Sequence, residues 1–152
     1  MHDSDDVLFA DEVIDELVAE AWRTFLDTPI DRIPEGQVGP SAVSASIAIV
    51  GERSITMVIA CDTEVAWRSA GKVLMTEPDE LTVEDVSDVL GELVNIVAGN
   101  LKGVYGSTSE HWTLSLPVVA AAEQTIHGSA LRSHTAYTAE GAIIVCDLFE
   151  PA

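Results

Sequence analysis

Three polar side chains near the middle of the sequence, Asp88, Glu92 and Asn95, stand at a spacing that could do chemistry. They are related as i, i+4 and i+7, so on an α-helix they form one row along a single face. A carboxylate in such a row can pair with a cationic group on a partner, and that contact strengthens once docking excludes water. A carboxamide both donates and accepts hydrogen bonds and stays uncharged at every working pH, so Asn95 adds a neutral hydrogen-bonding group to the row. Carboxylates and amides are equally ordinary on the wet face of any amphipathic helix. Periodicity alone does not separate the two.

Other chemistries find little support. Cys61 and Cys146 each lie in an apolar, strand-like run without a second ligand nearby, which suits buried hydrophobes in a reducing compartment. The histidines, His2, His111, His127 and His134, are scattered, with no HExxH or His/Cys cluster, so no bound metal is expected. His111 and His134 read as surface or strand-edge residues. The phosphate-cradling patterns GxxxxGK[ST] and GxGxxG are absent. With 26 acidic residues against 7 basic ones, the net charge of −19 repels nucleic acids and anionic membranes. The same charge suits a basic patch on a partner, and equally it serves solubility.

The chain has 152 residues, 47% of them hydrophobic, enough for one domain over 1–152 with residues 1–8 flexible. No apolar run approaches the roughly 20 residues needed to cross a bilayer. The first residues are acidic where a secretory signal would be basic, so a cytoplasmic protein is expected.

The row needs a helix to hold it, and the spacing predicts one over about 82–105. Thr82 is a good N-cap, and Asp85, three residues on, is a weaker substitute for the Glu or Gln of a capping box. Val83, Val86, Leu90, Leu93, Val94, Val97 and Leu101 gather on the side that must face a sheet. Glu84, Asp85, Asp88, Glu92, Asn95, Gly99, Lys102 and Gly103 gather opposite. Each glycine inside a helix costs roughly 1 kcal/mol relative to alanine. Gly99 on an outer face therefore reads as a flat place where another backbone can lie close.

The remaining elements follow from period and punctuation. A first helix fits about 9–26, and a loop runs to Pro40. Two alternating strands, 43–49 and 55–61, flank a turn at Gly51–Ser54. Asp62 or Thr63 can cap a helix to about Met75. After the long helix come a strand at Trp112–Leu116 ended by Pro117, weaker alternation over 130–138, and an apolar strand over 142–149. Grouped rather than alternating helices favour an α/β (α+β) fold with a mixed or antiparallel sheet and helices packed on it.

Asp88-x3-Glu92-x2-Asn95, followed after 21 residues by Pro117, resembles the signature of the CheC/CheX/FliY phosphatases. The specific part spans 82–117. No Asn follows a Glu at the required spacing in the first helix, where Arg23 stands three after Glu20, so the chain resembles the single-motif CheX branch. The resemblance implies dephosphorylation of an aspartyl phosphate on a response-regulator receiver domain. Glu92 would pair with the receiver's catalytic Lys, and Asn95 would orient the attacking water. Asp88, Gly99 and Lys102 would meet the partner, and Pro117 would shape a strand end or sheet edge. It also implies that Mg²⁺ sits on the receiver, that this chain binds no cofactor, and that the protein dimerises. A non-catalytic module that binds a receiver domain or a signalling assembly stays open beside it.

Overall fold

The computed structural model describes residues 9–39, 42–104, 112–121, 124, 126 and 128–152. The expectations for residues 1–8, for His111 and His127, and for the helix end at 105 lie outside them. Among the described residues, three α-helices, α1 (Asp11–Leu26), α2 (Thr63–Leu74) and α3 (Val83–Val104), accompany seven strands. These are β1 (Asp31–Ile33), β2 (Ala42–Val50), β3 (Ser54–Asp62), β4 (Thr113–Leu114), β5 (Val118–Ala120), β6 (Ser129–Ala139) and β7 (Ala142–Pro151). The sheet order is β1-β6-β7-β3-β2-β4, with β5 also on β2, and every pairing is antiparallel.

Alternation along the strands decides the faces. Ile47 and Ile49 of β2, Ile55, Met57 and Ile59 of β3, and Ile144 and Leu148 of β7 point into the main core, where all three helices bury their apolar stripes. The opposite face carries a smaller cluster, Ala60, Ala136 and Val145, with Ile33, Val38 and Ile143 packed on it. Both cysteines lie buried as free thiols, and burial pushes the Cys61 thiol up to about 12.

Ion pairs stitch the periphery. Arg32 bridges Asp11 and Asp15 at 3.0 and 2.8 Å, and the buried Tyr137 hydroxyl donates to Asp15 at 2.8 Å, tying α1 to β1 and β6. Arg53 and Arg132 share Glu150 and stand 5.3 and 4.3 Å from the centre of the Phe9 ring. Glu140 opens the β6–β7 hairpin at φ 52°, followed by Gly141 at φ 83°, the positive pair that a two-residue turn of this twist requires. Lys72 donates to Glu140 at 2.7 Å and Arg68 lies 3.2 Å away, and together they hold its carboxyl below the usual range.

Several expectations need correction. The stretch from 28 to 40 is not all loop, because Asp31–Ile33 adds to the edge of β6. Asp62 stands at the N-cap of α2, yet its carboxylate accepts from the Gly39 N–H at 3.1 Å and does not cap the helix. Val83 shares the apolar stripe of α3 but is 71% exposed, because it lines an open recess beside Val43 and Val119 that no described side chain fills. The strand expected over Trp112–Leu116 is reduced to Thr113–Leu114 and resumes as β5 after Pro117.

Thr82 and Asp85 make the reciprocal cap: the Thr82 N–H donates to Asp85 Oδ2 at 2.9 Å, and the Asp85 N–H donates to Thr82 Oγ1 at 3.1 Å. Thr82→Ala is therefore expected to cost about 1 kcal/mol, read from urea unfolding. Glu140→Gln tests the hairpin tie. A carboxyl whose pKa is lowered by folding adds stability above its unfolded pKa, and that stability is lost as pH falls through the folded one. The side chain is 41% exposed, so the loss at neutral pH is expected to stay below about 1 kcal/mol and to fade in acid.

Candidate functional site

α3 packs chiefly on β2, reaches β4 and β5, and contacts both other helices. Leu90, Leu93, Val94, Val97 and Leu101 are buried, which fixes the rotation of the helix about its axis. The residues opposite are then set. Asp88 and Glu92 are exposed and Asn95 is half-buried, all three on one wall of an open groove of about 610 Å³. Ser87 and Gly91 complete that wall, and Leu114–Pro117 with Val119 form the other. Among the described residues, none of the three side chains has a hydrogen-bond or ion-pair partner, so they face the groove with their polar atoms uncommitted.

The facing wall is an interrupted edge strand. Leu114 lies opposite Ile49 and Val118 opposite Ser46, so four steps along the edge match three along β2. One residue is in excess, and the strand bulges. At the bulge Ser115 takes over the ladder: its N–H donates to Ala48 O and its Oγ accepts from the Ala48 N–H, both at 2.9 Å. Pro117 has no N–H to contribute. Its ring turns instead toward α3, where a Cβ on Gly91 would stand 3.2 Å from Pro117 Cγ.

This contact explains a residue that the sequence reading passed over. Gly91 lies inside α3, is buried, and directly precedes Glu92. A glycine inside a helix, flanked one turn away by Ser87, Asp88 and Asn95, was the available signal. Gly99 and Gly103 differ, since a Cβ on either would meet nothing within 4 Å. Gly99 and Lys102 continue the outer face past the groove, half-buried, and do not line it. Pro117 sits between two short edge strands rather than closing a longer one. The structure thus brings Asp88, Glu92, Asn95 and Pro117 together and leaves Gly99 and Lys102 one and two turns away. In the first helix, Arg23 pairs with Glu20, so the second motif's place is taken by an ion pair.

The groove offers chemistry for polar recognition: two carboxylates that can hold a cation and an amide that can hold a water. Among the described residues, no three His, Cys, Asp or Glu side chains gather as a metal site. No described helix is long and apolar enough to cross a membrane.

Residues 43–139 match the family model described as chemotaxis phosphatase CheX. No curated protein matches the chain at a significant level. Among solved structures, the chemotaxis protein CheX from Vibrio vulnificus superposes with a TM-score of 0.75 at 20% identity, covering 92% of this chain and 95% of that one. A CheC-like superfamily protein from Shewanella gives 0.74 at 18% identity, with 91% and 96% covered. A chain of the CheX–CheY–BeF3–Mg²⁺ complex from Borrelia burgdorferi gives 0.72 at 20% identity, again with 91% and 96% covered. The chain belongs to the CheX family of chemotaxis phosphatases.

The two kinds of glycine on α3 give opposite expectations. Gly99→Ala adds a Cβ in open space and is expected to raise stability by up to about 1 kcal/mol. Gly91→Ala gains the same propensity but presses on Pro117, so its thermal midpoint is expected to fall clearly below that of Gly99→Ala. Equal midpoints would show that the wedge bears no strain.

Proposed function

We propose that this member of the CheX family hydrolyses the aspartyl phosphate of a receiver domain by holding one water in line with the phosphorus. The observation that supports the reading is the joint placement of Glu92 and Asn95 on one wall of an open groove, with no partners among the described residues to compete for them. The Borrelia burgdorferi relative is described in complex with CheY, BeF3 and Mg²⁺, and beryllofluoride is a stand-in for a phosphoryl group.

An acyl phosphate is a mixed anhydride and hydrolyses unaided. Mg²⁺ and a Lys on the receiver would neutralise the phosphoryl oxygens. This chain would then need neither a nucleophile nor a metal of its own. Its contribution is position. Glu92 would pair with the receiver's Lys and set the register of docking. Asn95, one turn on, would accept a hydrogen bond from the water through its side-chain oxygen and keep the water oxygen aimed at phosphorus, the water's protons leaving with the phosphate or to solvent. That oxygen bonds to phosphorus as the acyl oxygen leaves, releasing inorganic phosphate and the receiver's carboxylate. A neutral amide matters here, because a carboxylate at position 95 would repel the phosphoryl group. Asp88 adds negative charge at the rim of the same wall. With a receiver as its partner, the protein would work in the cytoplasm.

The test is the lifetime of phosphate on receivers charged with acetyl phosphate and Mg²⁺. Asn95→Ala is expected to lower kcat by roughly 100-fold while docking to a beryllofluoride-charged receiver persists. Glu92→Gln is expected to act on KM by about tenfold or more, the worth of a charge-assisted hydrogen bond. Full acceleration by Asn95→Ala would sink the water-holding mechanism. Docking by the wild-type chain without acceleration would make the protein a binding module.

A further inference from the structure

Upstream of Glu92, the groove runs over a saddle formed by Ser87 and Val119 into a second recess of about 240 Å³. Its lining is mainly apolar, with Val43 from β2, Trp67 from α2, Val83 and Val86 from α3, and Val119 from β5, beside the hydroxyl side chains of Thr63 and Ser87. Val83, on its rim, is 71% exposed, and Leu116, which lines the adjoining groove, is 87% exposed. Large exposed hydrophobics gathered on one furrow mark a contact surface rather than scattered surface residues. Val83 lies on the stripe that α3 otherwise buries, so the recess is a piece of core interface left without a cover.

Resting on the function proposed above, the geometry points to this recess as the seat of an apolar side chain, flanked by basic residues, on the receiver that docks over Asn95. Two arguments select that occupant. The first is reach. Ser87 and Asn95 are eight residues apart, about 12 Å along the helix, whereas a standard interface of about 800 Å² per partner is a disc about 16 Å in radius. A domain centred on Asn95 therefore lies over the recess, and an unfilled apolar hollow beneath it would weaken the contact. The second is charge. Glu84, Asp85, Asp88 and Glu92 occupy the solvent side of the same helix beside the recess. A second copy placed face to face would bring these carboxylates against their own kind, and an anionic lipid surface would be repelled. A partner segment with an apolar tip and cationic neighbours meets both features.

The experiment uses the full chain and the receiver whose phosphate it shortens most, charged with acetyl phosphate and Mg²⁺. Val83→Ser strips the apolar rim at an exposed position, and Val43→Phe fills the recess from its floor. Each is expected to raise KM about five- to tenfold, the loss of one seated apolar group, with kcat within twofold. Circular dichroism checks the fold of both. Trp67 supplies a second readout, since Trp22 and Trp112 are buried: its emission is expected to shift to the blue on docking a beryllofluoride-charged receiver, and Trp67→Phe to abolish the shift. Wild-type KM in both variants, or unmoved Trp67 emission at saturating receiver, overturns the assignment while leaving the Asn95 mechanism standing. Dissociation of a dimer by Val83→Ser with KM unchanged assigns the recess to a second copy and likewise overturns it. If no receiver loses phosphate faster with the wild-type chain, the function itself fails, and this assignment with it.

Discussion

The apolar stripe of α3 has one place to be buried, and everything at the groove follows from that. Leu90, Leu93, Val94, Val97 and Leu101 pack into the core above β2, near the margin of the sheet. Because the helix turns 100° per residue, burying those five leaves Asp88, Glu92 and Asn95 no choice of direction. The margin is what makes the row useful. A helix over the middle of the sheet would show its polar side to open solvent, whereas this one shows part of it to the interrupted edge strand. The Thr82–Asp85 cap fixes where the helix starts, and the Pro117 ring seated on Gly91 fixes how near the edge strand comes. Together they set the groove's width without asking any catalytic side chain to hold itself in place.

Charge is distributed with the same economy. The chain has seven basic residues, and most serve as stitches far from the groove. Arg32 binds α1 to β1, Arg68 and Lys72 anchor the β6–β7 turn, and Arg53 and Arg132 clasp Glu150 around Phe9. These pairs are partly exposed and each contributes modestly. Their collective effect is to leave the α3 face with carboxylates that nothing in those clusters neutralises. A strongly acidic chain is thus not uniformly acidic in its consequences. Glu84, Asp88 and Glu92 are among the carboxylates left exposed on that face.

Much of this was legible in the sequence, and the reasons differ by element. The helices and the two long hairpins follow from period and turn chemistry, because Gly51–Ser54 and Glu140–Gly141 punctuate alternating runs. The polar row was legible because three side chains on one helix need only the 100° rule. What was hidden depended on tertiary approach. Nothing local says that Asp62 will turn its carboxylate to Gly39, or that Val83 will be left exposed at the mouth of a recess. Asp31–Ile33 is too short to alternate and exists because β6 offers it an edge. Gly91 is the sharpest case. Its meaning lies in a proline 26 residues further along, and only the bulge at Ser115–Pro117 brings the two together.

The bulge has one more consequence. A sheet margin with a continuous row of free N–H and C=O groups invites a stranger to zip on as the next strand. Here the row is cut to fragments of two and three residues, out of phase by one and separated by an imino acid with nothing to donate. An incoming polypeptide finds no template of useful length beside the groove. Whatever is admitted there has to be admitted through side chains, so the break that shapes the pocket also defends it against promiscuous, backbone-driven assembly.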